Sequence, residues 1–265
     1  MLLQDKTLLI TGVLTDDSIA YHVAKSALAH GARIYLTSFG RAMSLTERSA
    51  KRLAPEDPPE IFELDATRPD HAQALANELS RRGIRLDGFL HAIGYAPPSC
   101  LGENFIDAPW EDVSVALQVS AYSLASITRG LLEVMASPSS VVALDFDATI
   151  AWPLYNWMGV AKAALESTAR YLARDLGKQG IRVNLVSAGP LRTMAAKSIP
   201  GFDRFGSVWE KRAPLGWNER DPSPVADTCV FLFSDLARGI TGEIVHVDGG
   251  FHAVAVGPDE STGGS

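Results

Sequence analysis

Short apolar runs recur along this chain at steady spacing, and amphipathic helical patterns fill the gaps between them. That alternation constrains the fold more than any other feature. Residues 7–10, 33–37, 61–64, 89–93, 141–144, 183–186 and 244–247 read as strands. Several are apolar without a break, the pattern of strands covered on both faces. Residues 18–30, 42–53, 70–82, 110–135, 155–178 and 223–234 read as helices. Strand and helix in repeated succession imply an α/β fold, a doubly wound parallel sheet of about seven strands with helices on both faces.

At 265 residues the chain suits one such domain, and no linker divides it. We expect that domain over residues 1–256, with an insertion at 193–217 that faces substrate and a flexible tail at 257–265. The stretch 189–224 is rich in glycine and proline and reads as a mobile cover over a site. Within it Phe202, Phe205 and Trp209 need burial, either under a closing lid or in a fixed helix. The net charge of −7 gives no electrostatic reason to seek nucleic acid or an anionic membrane. No run approaches the apolar length of a spanning helix. Cys100 and Cys229 form no CxxC pair, and the six histidines lack ligand spacing, so no metal is expected. The opening Met1–Lys6 carries acid and base too early for a signal peptide, and a cytoplasmic protein is expected.

The first strand runs into Thr11-Gly12, and Ser18 precedes the following helix. This is where a dinucleotide fold places its pyrophosphate. Gly12 allows a tight turn, Ser18 can cap the helix, and the helix start can bind an anion. GxGxxG is absent, and Asp16 and Asp17 stand close by. The next strand ends offer the Phe39 ring, then the Asp65 carboxylate before Ala66, then His91-Ala92-Ile93-Gly94. Asp65 reads equally as a helix cap, and His91 as a packed core histidine. The four turns converge at one end of a Rossmann-like sheet.

Tyr155 and Lys162 stand seven residues apart. At about 100° per residue this lies within about 20° of two full turns, so one helical face would carry both. An ammonium can anchor a ribose and favour a hydrogen-bonded or partly charged phenol. The phenol can donate to an oxygen that gains charge. A core tyrosine and a surface lysine would give the same spacing. The commoner dehydrogenase pattern, Tyr-x3-Lys, fails because position 159 is glycine.

From about Leu3 to His252 the chain resembles the enoyl-(acyl-carrier-protein) reductases of bacterial type II fatty-acid synthesis, a divergent branch of the short-chain dehydrogenase/reductases. The carriers are Thr11-Gly12-x5-Ser18-Ile19-Ala20, His91–Gly94, Ser120–Ser123, Tyr155-x6-Lys162, Arg182–Asn184, Gly189–Thr193 and Asp248–Gly250. The resemblance implies roles. Gly12, Val13, Ser18 and Ile19 would line the pyrophosphate. Phe39 would stack on adenine beside Asp65 and Ala66. Ile93 and Gly94 would approach the adenosine ribose and phosphates. Lys162 would hold the nicotinamide ribose, and Leu191 and Thr193 the carboxamide end. Tyr155 would bind the thioester carbonyl and stabilise the enolate formed by hydride addition. Phe146, Met158 and Met194 would shape the acyl pocket, with Phe146 beside the reacting centre.

The implied cofactor is NADH. Gly40 replaces an expected polar or acidic residue, which leaves Arg41 able to receive the 2′-phosphate of NADPH. Ala92 replaces an expected serine. The implied partner is acyl carrier protein bearing an enoyl chain, and the implied assembly a homotetramer. The short 193–217 segment suggests short or medium acyl chains. A dedicated enoyl reductase of a secondary-metabolite pathway, a carbonyl reductase of the same superfamily and a catalytically silent nucleotide-binding regulator are the rival readings.

Overall fold

The computed structural model of the protein describes residues 1–199 and 201–255, and the expected tail at 257–265 lies outside them. Seven strands and eight α-helices occur among the described residues. In chain order they are β1 (Thr7–Ile10), α1 (Ile19–Ala29), β2 (Arg33–Ser38), α2 (Met43–Leu53), β3 (Ile61–Glu63), α3 (Pro69–Arg81) and β4 (Leu86–His91). There follow α4 (Trp110–Leu117), α5 (Ser123–Leu131), β5 (Met135–Asp145), α6 (Asn156–Leu176), β6 (Ile181–Ala188), α7 (Phe202–Arg212), α8 (Ser223–Phe233) and β7 (Ile244–Val247). The strands form one parallel sheet in the order β3-β2-β1-β4-β5-β6-β7. After β3 the chain crosses back to lay β4 on the other side of β1. The connections above β1 and β4 therefore diverge, and a crevice opens at the carboxyl ends of these strands.

Side-chain alternation feeds two cores. Leu8 and Ile10 of β1 join Leu36, Leu90, Val142 and Val186 against Ala24 and Ala27 of α1 and Val225, Cys229 and Phe233 of α8. Leu9 points the other way, with Phe89, Val141, Val183 and Leu185, toward Leu79 of α3, Leu124 and Ile127 of α5 and Leu165 of α6. The unbroken apolar runs thus line both faces of the sheet.

The sequence pattern misjudged one place and left a second open. Residues 110–135 are not one helix. A wider π-helical turn, Gln118–Tyr122, separates α4 from α5. Leu132–Val134 then tighten, and the chain extends into β5, which starts well before 141. Arg85 draws that early stretch in by donating to the Met135 carbonyl at 2.5 Å, and Ser139 N donates to Gly180 O at 3.1 Å. For the 193–217 segment, which left a closing lid and a fixed helix both open, the structure has a helix, α7. Trp209 on α7 is 3% exposed and stacks on Phe251 with centroids 3.8 Å apart. Its cover comes from the far C-terminal region, which local pattern cannot show. The Phe205 side chain lies outside the described residues.

Candidate active site

The crevice begins at the end of β1. Thr11 Oγ1 donates to Leu90 O at 2.8 Å and accepts from Ala92 N at 2.9 Å, which ties the turn after β1 to the turn after β4. Gly12 has φ +80°, and a Cβ there would overlap the Ala92 carbonyl oxygen. Only glycine satisfies both conditions. Val13 is buried beneath. Ser18 caps α1 as expected: its Oγ accepts from Tyr21 N at 3.2 Å. The unpaired backbone N–H groups of the first turn of α1, including that of Ile19, favour an anion. Asp16 pairs with Arg52, and Asp17 accepts from Thr15, so both nearby carboxylates have partners.

The next strand ends flank this point. Phe39 is 46% exposed after β2, ahead of Gly40 and exposed Arg41. Asp65 follows β3 and accepts from Thr67 N at 2.9 Å and Thr67 Oγ1 at 2.7 Å. It is not the cap of α3, which starts at Pro69 after Arg68. Ala66 and Ile93 pack against the second core. A Cβ on Gly94 would meet Met158 Cε at 3.2 Å, so this open position borders a residue expected at the acyl end. His91 is the packed histidine: fully buried, with Nε2 2.8 Å from Ser123 Oγ. Burial, aided by the Lys162 charge, pushes its imidazole down to about 3.

At the chemical end, β5 delivers Asp145, Phe146 and Asp147. Tyr155 precedes α6, and Leu154 and Asn156 on either side of it adopt left-handed φ of +65° and +52°. The expected face shared by Tyr155 and Lys162 therefore does not rest on continuous helix, since the chain turns at Asn156 before α6 proceeds. Tyr155 packs edge-on to Phe146 with centroids 5.1 Å apart, and Phe146 continues to Trp152 at 5.3 Å and Trp209 at 5.9 Å. These rings wall one side of the crevice. Lys162 is 7% exposed and donates Nζ to Leu144 O at 2.8 Å, so it is not a surface lysine. Leu191 is buried, Thr193 is half-buried and accepts from Ala196 N at 3.1 Å, and Met194 is 40% exposed.

Burial, with the Asp145 charge, raises the Tyr155 phenol above its ordinary value. Burial and the Asp145 charge both oppose the partly charged phenol that a nearby ammonium would favour. Burial lowers Lys162, against the pull of Asp145 and Glu166. The arrangement offers an anion site at α1, an exposed ring at Phe39, an ammonium at β5 and a neutral phenol beside apolar walls. These residues suit a dinucleotide and a polarisable carbonyl. Sequence reasoning assigned no role to Thr11 or to the Asp145 carboxylate, and it overlooked Glu166. A charged residue closing an apolar strand was the available signal for Asp145, and the one-turn offset from Lys162 was the signal for Glu166.

Among the described residues, no helix is long and apolar enough to cross a membrane. The model of a family described as enoyl-(acyl carrier protein) reductase matches residues 12–252. The chain is 45% identical to an enoyl-(acyl-carrier-protein) reductase (NADH) of Mycolicibacterium smegmatis, over 94% of this chain and 97% of the relative. It is 43% identical to the one of Mycobacterium avium, over 94% and 97%, and 39% identical to that of Haemophilus influenzae, over 96% and 97%.

Proposed function

The chain belongs to the enoyl-(acyl carrier protein) reductase family, and from that premise we propose that it reduces the 2,3 double bond of trans-2-enoyl thioesters on acyl carrier protein, with NADH as reductant. The observation that carries this reading is that the end of β5 is flanked by two buried groups, Tyr155 packed on Phe146 and Lys162 donating to the Leu144 carbonyl. NADH, when bound, supplies the hydride that reaches the β-carbon. Tyr155 donates to the thioester carbonyl as that oxygen takes on enolate charge. A phenol held neutral by burial is suited to that task. Phe146, Met158 and Met194 line the acyl group, and the Trp152–Trp209–Phe251 cluster behind Phe146 keeps water away.

Lys162 binds the nicotinamide ribose, and Leu191 and Thr193 hold the carboxamide end. Gly12, Val13, Ser18 and Ile19 hold the pyrophosphate. Phe39, Asp65, Ala66, Ile93 and Gly94 surround the adenosine. The NADH-named relatives favour NADH over the NADPH reading through Arg41. Their names likewise support acyl carrier protein as partner. A single catalytic domain, a cytoplasmic homotetramer and a preference for short or medium acyl chains complete the proposal. Exposed Trp110, Tyr122 and Tyr171 around α4 to α6 support self-association. The test is loss of NADH absorbance on adding crotonyl and longer trans-2-enoyl thioesters, with the saturated thioester as product. Absence of turnover on every chain length with either nicotinamide cofactor would sink the reading.

A further inference from the structure

One carboxylate at the chemical end has no part in the steps above. Asp145 closes β5, its side chain is buried, and neither oxygen has a side-chain partner; the Phe146 backbone amide only weakly opposes the effect of burial. Such a group is rare in a folded protein, because an unpaired buried charge is costly. Two contacts bracket it. Lys162 Nζ donates to the carbonyl of Leu144, just before it, at 2.8 Å. Ala148 N, three residues after it, donates to Glu166 Oε1 at 3.2 Å. Lys162 and Glu166 lie one turn apart on α6, so this helix grips the chain on both sides of Asp145.

The charged and titratable groups around it are few. Lys162 and Glu166 face it from α6, Asp147 from the turn that follows, and Tyr155 from the start of α6. On the other side Asp145 pairs in register with buried Ser187 of β6. His91 of β4 faces Lys162 and is held neutral. Lys162 is thus the cation of the group. Two carboxylates oppose its loss of charge on burial, Asp145 and Glu166. Glu166 is already engaged, by Ala148 N and by Arg170 at 3.9 Å. Asp145 has no side-chain partner that competes for it.

We propose that Asp145 is a positioning residue for cofactor binding, the counter-charge that keeps Lys162 an ammonium able to grip the ribose. This rests on the cofactor role given to Lys162 above. Burial pushes the Asp145 carboxyl up to about 7. The counter-charge is therefore present on the alkaline side, where an unsupported buried lysine loses its proton, and absent on the acid side, where the lysine keeps it anyway.

The experiment measures NADH dissociation constants for the wild type, Asp145→Asn and Asp145→Ser across pH. All three should bind alike near about pH 6, and the variants should bind progressively more weakly than the wild type as pH rises through the alkaline range, where the lysine without its counter-charge loses its proton first. Affinities that match the wild type at every pH overturn the proposal, and so does a loss of equal size at every pH, which marks a merely structural role. The serine variant serves if the asparagine variant does not fold. Nitrogen NMR of the Lys162 ammonium in the free protein decides the matter without cofactor: its titration should move to lower pH in the variants, and an unmoved titration refutes the role. A wild type that binds no NADH at any pH counts against the cofactor reading, while the NMR result still judges Asp145.

Discussion

Tyr155 and Lys162 are equally buried, yet their tasks differ, and substitution should separate them. Lys162→Ala removes charge-assisted hydrogen bonds, so NADH affinity should fall by roughly 1.5–3 kcal/mol. Tyr155→Phe keeps the ring that packs on Phe146 and removes only the hydroxyl. Turnover should drop by about 10²–10³ while NADH affinity stays near the wild-type value. Fluorescence titration and steady-state rates measure the two effects, and equal loss of affinity in both variants would contradict the division. His91 makes a different prediction. Its imidazole sits at about 3, below the ordinary 6.5, because burial keeps it neutral. The unfolded chain takes up this proton first as pH falls, so the stability His91 contributes is present above about 6.5 and drains away toward about 3. His91→Gln should be less stable than the wild type near neutrality, with the gap closing on acidification in urea melts. A gap constant with pH would show that this residue does not titrate as described.

Among the elements, α7 carries the clearest test. The glycine and proline around it suggested a loop, but its Trp209 is stacked on Phe251 and sits 4.8 Å from the Trp152 ring. Trp209→Ala should cost about 3–5 kcal/mol. Amides within Phe202–Arg212 should exchange slowly in the free protein as well as in the liganded one. Fast exchange that slows only with ligand would favour the lid, the other alternative the sequence left open. What was legible depended on where each element finds its cover. The strands took both faces from their own apolar runs, and α1 announced itself through Ser18. By contrast, nothing local separates α4 from α5, because the apolar pattern continues through Val119 and Ala121, both buried. The start of β5 was hidden because Ser137, Pro138, Ser139 and Ser140 are not strand-like by composition. They extend because Arg85 holds Met135 just before them and Gly180 accepts from Ser139 N.

At the scale of the whole molecule, the strand order gathers the ends of β1, β2, β3, β4 and β5 at one edge of the fold. Each turn there looked ambiguous in isolation. Gly12, Phe39, Asp65 and Gly94 gain meaning because the crossover between β3 and β4 sets their turns around one crevice. The Asp145 carboxylate was not legible, because its isolation arises from two distant constraints: the register with β6 and the grip of α6. Phe146 joins the scales, touching Tyr155 on one side and the Trp152–Trp209 wall on the other. The central claim is that this crevice directs hydride to a carbon–carbon double bond rather than to a carbonyl. The most direct measurement compares kcat/KM for NADH oxidation with a trans-2-enoyl thioester and with the 3-ketoacyl thioester of equal length. The account predicts turnover on the enoyl compound and little or none on the ketoacyl compound; faster turnover on the ketoacyl compound would contradict it.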